Sequence, residues 1–411
     1  MNTKHNSHNI LINYKNIAFI FLAILILLVR KSDSLSNSQL WAEDGTVFFA
    51  QQYEYGAASI FIAYAGYLHI VPRLIATLSD SFFSYANIPA VYNYTCLFIT
   101  IIVIAHCFSP RLQLPFKPLL ALSIVLVPHS LNEVFLNITN LQWILCILLV
   151  LTLLKAAPNK KHGNYTLQVL SDFIIVIFAG LTGPFLIFMF PFFAWKLFNL
   201  KKTYGYILLM IAFSIALIQL IHIIPNTVNT QTGSIFNLEL YLSVIGRQLF
   251  GGLFVGRALK YSDGILAGIS ALAYFAILLH LSYKKSPEDK LLLKIVFMIL
   301  SISAAILGAV IINFNFSPNI MSISSGCRYF YVPYVMVAWS LILCINQDGI
   351  WKNIFVISSL LLILYSSVSV GMRTKMIDYN WKYHSSLIGT KAVVSIPINP
   401  DWSITLHSKK K

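Results

Sequence analysis

The sequence predicts an all-α integral membrane protein of about eleven transmembrane helices, and three observations carry that prediction. Hydrophobic residues make up 58% of the 411 and charged residues only 10%, against roughly 25% charged in a soluble domain. Apolar runs recur along the whole chain, each near the roughly 20 residues that a helix needs to cross a hydrocarbon core. Lysines gather in short connections between these runs.

The first apolar run, over 17–29, follows a polar segment holding Lys4 and Lys15. A cleaved signal peptide begins in the same way, but small residues of the A-x-A type are missing after Val29, so a retained signal-anchor helix over 13–30 is expected. Further helices are expected over 89–108, 118–132, 140–155, 168–182, 184–198, 203–224, 264–283, 291–312, 331–346 and 353–371. Thr182-Gly183-Pro184 interrupts one stretch, making 168–198 either a tight hairpin of two short helices or one broken helix. No internal repeat and no low-complexity linker is visible.

Orientation follows from the basic residues. A cytoplasmic N-terminus places Lys4, Lys15, Arg111, Lys117, Lys155, Lys160, Lys161, Lys196, Lys201, Lys202, Lys284, Lys285, Lys290, Lys294 and Lys352 in cytoplasmic segments, mostly short, as the positive-inside rule requires. Of the other fourteen of the 29 basic residues, Arg30 ends the first helix on the opposite side and the rest fall in the longer segments 31–88, 225–263, 313–330 and 372–411, and long loops translocate largely regardless of charge. The division expected is a transmembrane domain over 1–371, with a large first periplasmic loop carrying interfacial helices, and a small periplasmic segment over 372–411. Its aromatics and the Ala392–Trp402 stretch suit a strand-containing lid.

Topology also accounts for the net charge of +15, which in a soluble protein would suggest nucleic acid; no nucleic-acid-binding module is recognisable. Five cysteines are scattered without C-x-x-C spacing, four of them inside apolar runs. They read as buried small hydrophobes, and no metal or disulfide framework is visible.

Ten of the fourteen acidic residues fall on the outer side, which points to extracytoplasmic chemistry; longer loops that simply collect polar residues are the other explanation. The most informative stretch is Leu40-Trp-Ala-Glu-Asp-Gly-Thr-Val-Phe-Phe49. Glu43 and Asp44 would project about 100° apart on a helix, so one can face a cavity while the other caps or pairs. Asp44 would equally serve as the N-cap of a helix over Val47–Tyr55. Next, Ala63-Tyr-Ala-Gly-Tyr-Leu-His-Ile-Val-Pro-Arg-Leu74 holds Tyr67, with His69 and Arg73 at i, i+4 spacing. A guanidinium at the interface suits a phosphate oxygen, or it can snorkel to lipid headgroups; His69 also fits a structural role.

Three more groups complete the set. Glu133, Asn137 and Trp143 lie in Pro128–Trp143, where they suit either sugar hydroxyls and a pyranose face or the turn between two helices. Arg247 and Arg257 flank Gly251-Gly252, which suits a mobile loop closing on a lipid phosphate or membrane-surface anchoring. Arg328 and Tyr329 stand at the outer mouth of a helix, where an ionisable residue is a functional candidate.

Trp41-Ala-Glu-Asp-Gly45, Gly66-Tyr-Leu-His-Ile-Val-Pro-Arg73, Gly326-Cys-Arg-Tyr-Phe330 and Ile396-Pro-Ile-Asn-Pro-Asp-Trp402 resemble bacterial multi-pass proteins of the O-antigen glucosyltransferase type, serotype-converting enzymes related to the GT-C superfamily. Such a resemblance implies inverting transfer of a hexose, usually glucose, from undecaprenyl phosphate to a lipopolysaccharide O-antigen or similar glycan at the periplasmic face of the inner membrane. It implies a first-loop carboxylate as base, here Glu43 or Asp44, and arginines on the leaving phosphate, for which Arg73, Arg257 and Arg328 are candidates. It implies no cofactor and no divalent metal, and partners acting upstream such as a small flippase and a polyprenyl-phosphate glucosyltransferase. A transporter or flippase of lipid-linked saccharides and an O-antigen polymerase are the competing readings. Transporters carry internal repeats and charged or broken helices at the midplane, whereas most charges here lie at the outer boundary.

Overall fold

The computed structural model describes residues 14–129, 132–227, 238–257, 263–283, 289–313, 326–345, 349–371 and 375–408. Lys4, Lys284, Lys285 and parts of the 225–263 and 313–330 connections lie outside the described residues. In chain order the helices are α1 (Tyr14–Arg30), α2 (Ala50–Tyr55), α3 (Ile70–Phe82), α4 (Ile88–His106), α5 (Lys117–Leu126), α6 (Leu141–Leu154), α7 (Tyr165–Gly180) and α8 (Phe185–Asn199). They continue as α9 (Thr203–Thr227), α10 (Leu238–Ser243), α11 (Gly251–Phe254), α12 (Gly264–Ser282), α13 (Asp289–Asn313), α14 (Arg328–Leu343), α15 (Ile350–Val370) and α16 (Trp381–Ser386), and the chain closes with strands β1 (Val393–Ile398) and β2 (Trp402–His407).

Every apolar run of the sequence coincides with a helix, and the protein is a helical membrane protein. Among the described residues, five segments are long and apolar enough to cross a bilayer: Tyr85–His106, Thr203–Ile224, Gly264–Ser282, Lys290–Ile312 and Ile350–Val370. Their exposed surfaces carry residues such as Phe213, Ile221, Leu266, Leu361 and Tyr365, which lipid solvates at no cost and water would not. The shorter helices α6 and α14 have a different environment. Nearly every residue of both is buried in protein, so their length need not match the bilayer. Trp339 Nε1 donates to Leu120 O at 3.0 Å and to Ser123 Oγ at 2.9 Å, and Tyr331 OH donates to Ile124 O at 2.8 Å. These bonds satisfy the polar groups of α14 in an apolar interior, where an unpaired donor is costly, and tie it to α5.

Helix α5 stops short of the expected 132. Pro128 disfavours helical backbone at Val127, and Arg30, at the end of α1, takes the freed carbonyls of Val125 and Val127 at 2.7 and 2.9 Å. The Thr182-Gly183-Pro184 break resolves into two separate helices running in opposite directions. Gln219, fully buried in α9, bridges that turn by donating to Gly180 O and Gly183 O at 3.2 and 3.1 Å and accepting from Leu68 N at 2.9 Å.

These contacts define two ends. The first loop, the 127–140 segment, the 181–184 turn and the start of α14 meet at one end; the α4–α5, α6–α7 and α8–α9 connections meet at the other. The C-terminal segment packs on the first end. Strands β1 and β2 pair antiparallel from Val393↔His407 to Ile398↔Trp402, and Ile396, Ile398, Ile404 and Leu406 are buried. Gly45 sits under this hairpin, where a Cβ would fall 2.6 Å from Ile404 Cδ1. The Arg247–Arg257 stretch, expected as a mobile loop or a membrane-surface anchor, continues a helical segment that begins at Leu238 and runs through Phe254. It packs so closely on α12 that a Cβ on Gly246 would stand 2.2 Å from the Ala267 carbonyl carbon.

Gly246→Ala should therefore lower the unfolding temperature in detergent, with overpacking costs of about 1–3 kcal/mol. Gly308→Ala, where nothing lies within 4 Å of the added methyl, should leave it unchanged; equal melting of both variants would refute the close approach of Gly246 to α12.

Candidate active site

The first loop leaves α1 at Arg30 and returns through Leu40-Trp41-Ala42, where it meets the C-terminal hairpin: Ala42 N donates to Asn399 O at 2.5 Å. Ala42 has φ +40°, a conformation that L-residues rarely adopt, and from there the backbone winds as a π-helix over Asp44–Phe49 into α2. That turn sends the two carboxylates in different directions. Asp44 is buried, 1% exposed, and its Oδ1 accepts from Thr139 N at 2.8 Å and Thr139 Oγ1 at 2.5 Å. It does not cap the helix it begins. Burial pushes its carboxyl up to about 7, with the Thr139 bonds opposing. Glu43 stays half-exposed and accepts a hydrogen bond from Tyr64 OH at 3.3 Å.

A two-residue turn through Ala65 and Gly66, both at positive φ, presents Tyr64 and Tyr67. Their backbones exchange hydrogen bonds at 3.0 and 3.2 Å, the geometry of a tight hairpin. Tyr67 lies against His69 with ring centroids 4.7 Å apart, and burial pushes its phenol up to about 12. His69 is itself 1% exposed, and neither ring nitrogen meets a hydrogen-bonding partner among the described residues. Burial, reinforced by the charge of Arg73, pulls the imidazole down to about 3, so it is neutral.

Opposite Glu43 stands the start of α14. Arg328 Nη1 pairs with Glu133 Oε2 at 3.2 Å, and the Arg328 amide donates to Glu133 Oε1 at 3.0 Å. Its guanidinium lies 5.0 Å over the Tyr329 ring, and the side chain keeps 29% of its surface open. Arg328, Tyr64, Tyr67 and Tyr329 all feel the charge of Glu43. Tyr329 packs edge-on against Trp143 at 5.6 Å. Trp143 is 4% exposed, so its face meets Tyr329 and Phe185 and supports the site from below.

The structure thus gathers Glu43, Tyr67, His69, Glu133, Trp143, Arg328 and Tyr329. Arg73 is placed elsewhere: it is fully buried under Phe48 at 5.0 Å, and its Nη2 donates to Gln51 Oε1 at 2.6 Å and Ile62 O at 3.1 Å. Burial turns this expected phosphate ligand into an internal brace of the first loop. Asn137 is a turn residue, donating to the Glu133 carbonyl and accepting from Asn140 N. Arg247 is half-buried on the helical stretch packed against Gly264, and Arg257 is exposed beyond its end. Three contributors escape a sequence reading: Tyr64, Thr139 and Lys31. Lys31 is buried, with Nζ 5.1 Å over the Trp41 ring. Burial pulls its ammonium down to about 8 against the attraction of Asp44 and Glu133. In the sequence it looks like an ordinary basic residue flanking a helix.

His129, Glu133 and Cys327 bring one ligand atom each within 4.8 Å of one another, a donor set that suits zinc. Their surroundings oppose a divalent cation: Arg30, Lys31 and Arg328 all act on His129, Glu133 is engaged by Arg328, and His129 Nε2 accepts from Val134 N at 3.0 Å.

No protein-family model and no curated protein matches this chain. Among solved structures, the crystal structure of the Archaeoglobus fulgidus oligosaccharyltransferase in its apo form is similar to it with a TM-score of 0.41 and 11% identity, covering 88% of this chain and 56% of that one. A likeness of that degree assigns neither a fold nor a reaction to this chain, which spans little more than half the length of that protein.

A carboxyl raised from 3.8 to about 7 contributes its stability below the lower value and loses it as pH rises through the upper one. Thermal melts across that window should fall more steeply for the wild type than for Asp44→Asn, which is neutral throughout. Parallel slopes would remove Asp44 as the source.

Proposed function

We propose that the protein is a membrane glycosyltransferase that moves a hexose from a polyprenyl phosphate to a surface glycan, with Glu43 as general base. The observation that carries this reading is the half-exposed Glu43 carboxylate, held by Tyr64 and facing the open side of Arg328, at the end of an apolar helical bundle. A lipid-linked phosphate brings its reacting carbon to that level, and a glycan acceptor reaches it from the aqueous side.

The chemistry asks three things of these residues. Glu43 accepts the proton of an acceptor hydroxyl as that oxygen bonds to the anomeric carbon from the face opposite the phosphate. The bond from that carbon to the phosphate oxygen breaks with its electron pair moving to the phosphate, so the configuration inverts. Arg328 meets the charge that develops there, aided by the field of the buried Arg30 and Lys31. Arginine fills the electrophilic role in this scheme and no divalent metal takes part. Asp44, committed to Thr139, is the positioning partner that keeps Glu43 turned outward. Glucose as the hexose, undecaprenyl phosphate as the carrier, lipopolysaccharide O-antigen as the acceptor and the periplasm as the compartment complete the proposal, on the strength of the motifs around Glu43 and Arg328.

Expression in a strain of defined O-antigen, followed by analysis of the polysaccharide, tests it. Wild type should add a hexose. Glu43→Gln should lower transfer by about a hundredfold or more at unchanged abundance in the membrane, and Asp44→Asn should retain more transfer than Glu43→Gln. Normal modification by Glu43→Gln defeats the assignment, and an unmodified glycan with accumulated lipid-linked precursor points instead to transport.

A further inference from the structure

The end of the bundle opposite Glu43 carries a second polar cluster, and nothing in the proposed transfer uses it. Arg111, between α4 and α5, forks onto Asp172 of α7 with Nη1–Oδ1 at 3.0 Å and Nη2–Oδ2 at 2.6 Å, and its Nε donates to Ala156 O at 2.8 Å. Tyr204 OH donates to Asp172 Oδ2 at 2.6 Å. The carboxylate is thereby fully committed.

Two more cations adjoin it. Lys196, in the last turn of α8, donates its Nζ to Leu153 O at 2.6 Å and to the Lys155 carbonyl. Lys155, just past α6, is 3% exposed, yet its ammonium meets no hydrogen-bond acceptor among the described residues. It lies close enough to Asp172 and Arg111 to feel both charges. Arg111, Lys155, Lys196, Tyr204, Phe193 and Leu208 line one small cavity. Three cations thus surround one carboxylate, and Lys155, the most buried of the three residues, keeps its ammonium on the cavity without a protein acceptor among the described residues. A cation held in so little solvent without a counter-charge is costly, and an anion at the mouth of the cavity lowers that cost. Exposed Lys201 and Lys202 nearby raise the local concentration of anions.

We propose that the mouth of this cavity binds a phosphoryl anion, one of whose oxygens fills the water-sized space inside, with Lys155 as its principal ligand, Lys196 as the second, and the Arg111–Asp172 fork holding both in place. The surplus of two positive charges matches the charge of about −2 on a phosphate monoester, and ammonium groups suit phosphate oxygens as point charges. Phosphoryl groups reach this level of a membrane protein from lipid headgroups or as free phosphate. The proposal is independent of the role given to Glu43.

The test uses the full chain in nanodiscs of phosphatidylcholine, alone, doped with phosphatidic acid, whose headgroup is a phosphate monoester, or titrated with inorganic phosphate at constant ionic strength to hold screening fixed. Unfolding temperature and native mass spectrometry are the readouts. One of the two anions should raise the unfolding temperature saturably, phosphatidic acid alone identifying a lipid headgroup and phosphate alone a free anion. Lys155→Gln should weaken that response about tenfold or more, as loss of a charged hydrogen bond predicts, while Lys155→Arg and Glu43→Gln retain it. Should Lys155→Gln fail to fold, Lys196→Gln at its half-buried position gives the same comparison. A response to neither anion, or an undiminished response in the foldable Gln variant, overturns the proposal.

Discussion

The guanidinium of Arg30 holds the arrangement together. It donates to Asn132 Oδ1 at 2.7 Å and to the carbonyls of Val125, Val127 and His129 at 2.7, 2.9 and 3.1 Å, four acceptors for one buried guanidinium. Those bonds satisfy carbonyls that α5 abandons when it ends, and they fix the path of the segment leading to α6. From that segment come both anchors of the site. Thr139 takes Asp44 and Glu133 takes Arg328, so one buried cation at the end of α1 sets the positions of groups from three other parts of the chain.

Separation of roles between adjacent carboxylates follows from this geometry. Glu43 and Asp44 are chemically near-equivalent in the sequence, but a single turn with Ala42 in a left-handed conformation directs one inward and one outward. The inward group is desolvated and bonded; the outward one keeps solvent and a tyrosine hydroxyl. The C-terminal hairpin closes over the same turn through Asn399, Ile398 and Ile404, so residues more than 350 positions away in the chain stabilise the conformation on which the separation rests.

The two ends of the bundle obey opposite electrostatics. At the Glu43 end, carboxylates and cations are interleaved, with Glu133 paired to Arg328 and Asp44 near Lys31. At the Arg111 end cations outnumber the one carboxylate. Low dielectric strengthens both patterns, making the first a set of internally compensated pairs and the second a seat for a charge from outside.

Hydrophobic periodicity and length determined the helices, because a run of apolar residues with lysine-rich connections has few alternatives in a bilayer, and each expected run coincides with a helix. Local motifs also marked Glu43, Asp44, His69, Glu133 and Arg328 as the residues to watch. Tertiary structure alone decided which carboxylate stays open, that Arg73 is an internal brace and Trp143 a buried support, that 238–254 is helical, and that Lys31, Tyr64 and Thr139 belong to the site. The physical reason is that burial and hydrogen-bond partnership arise between segments distant in the chain. The local sequence of a carboxylate or guanidinium carries its charge but not the groups that will surround it.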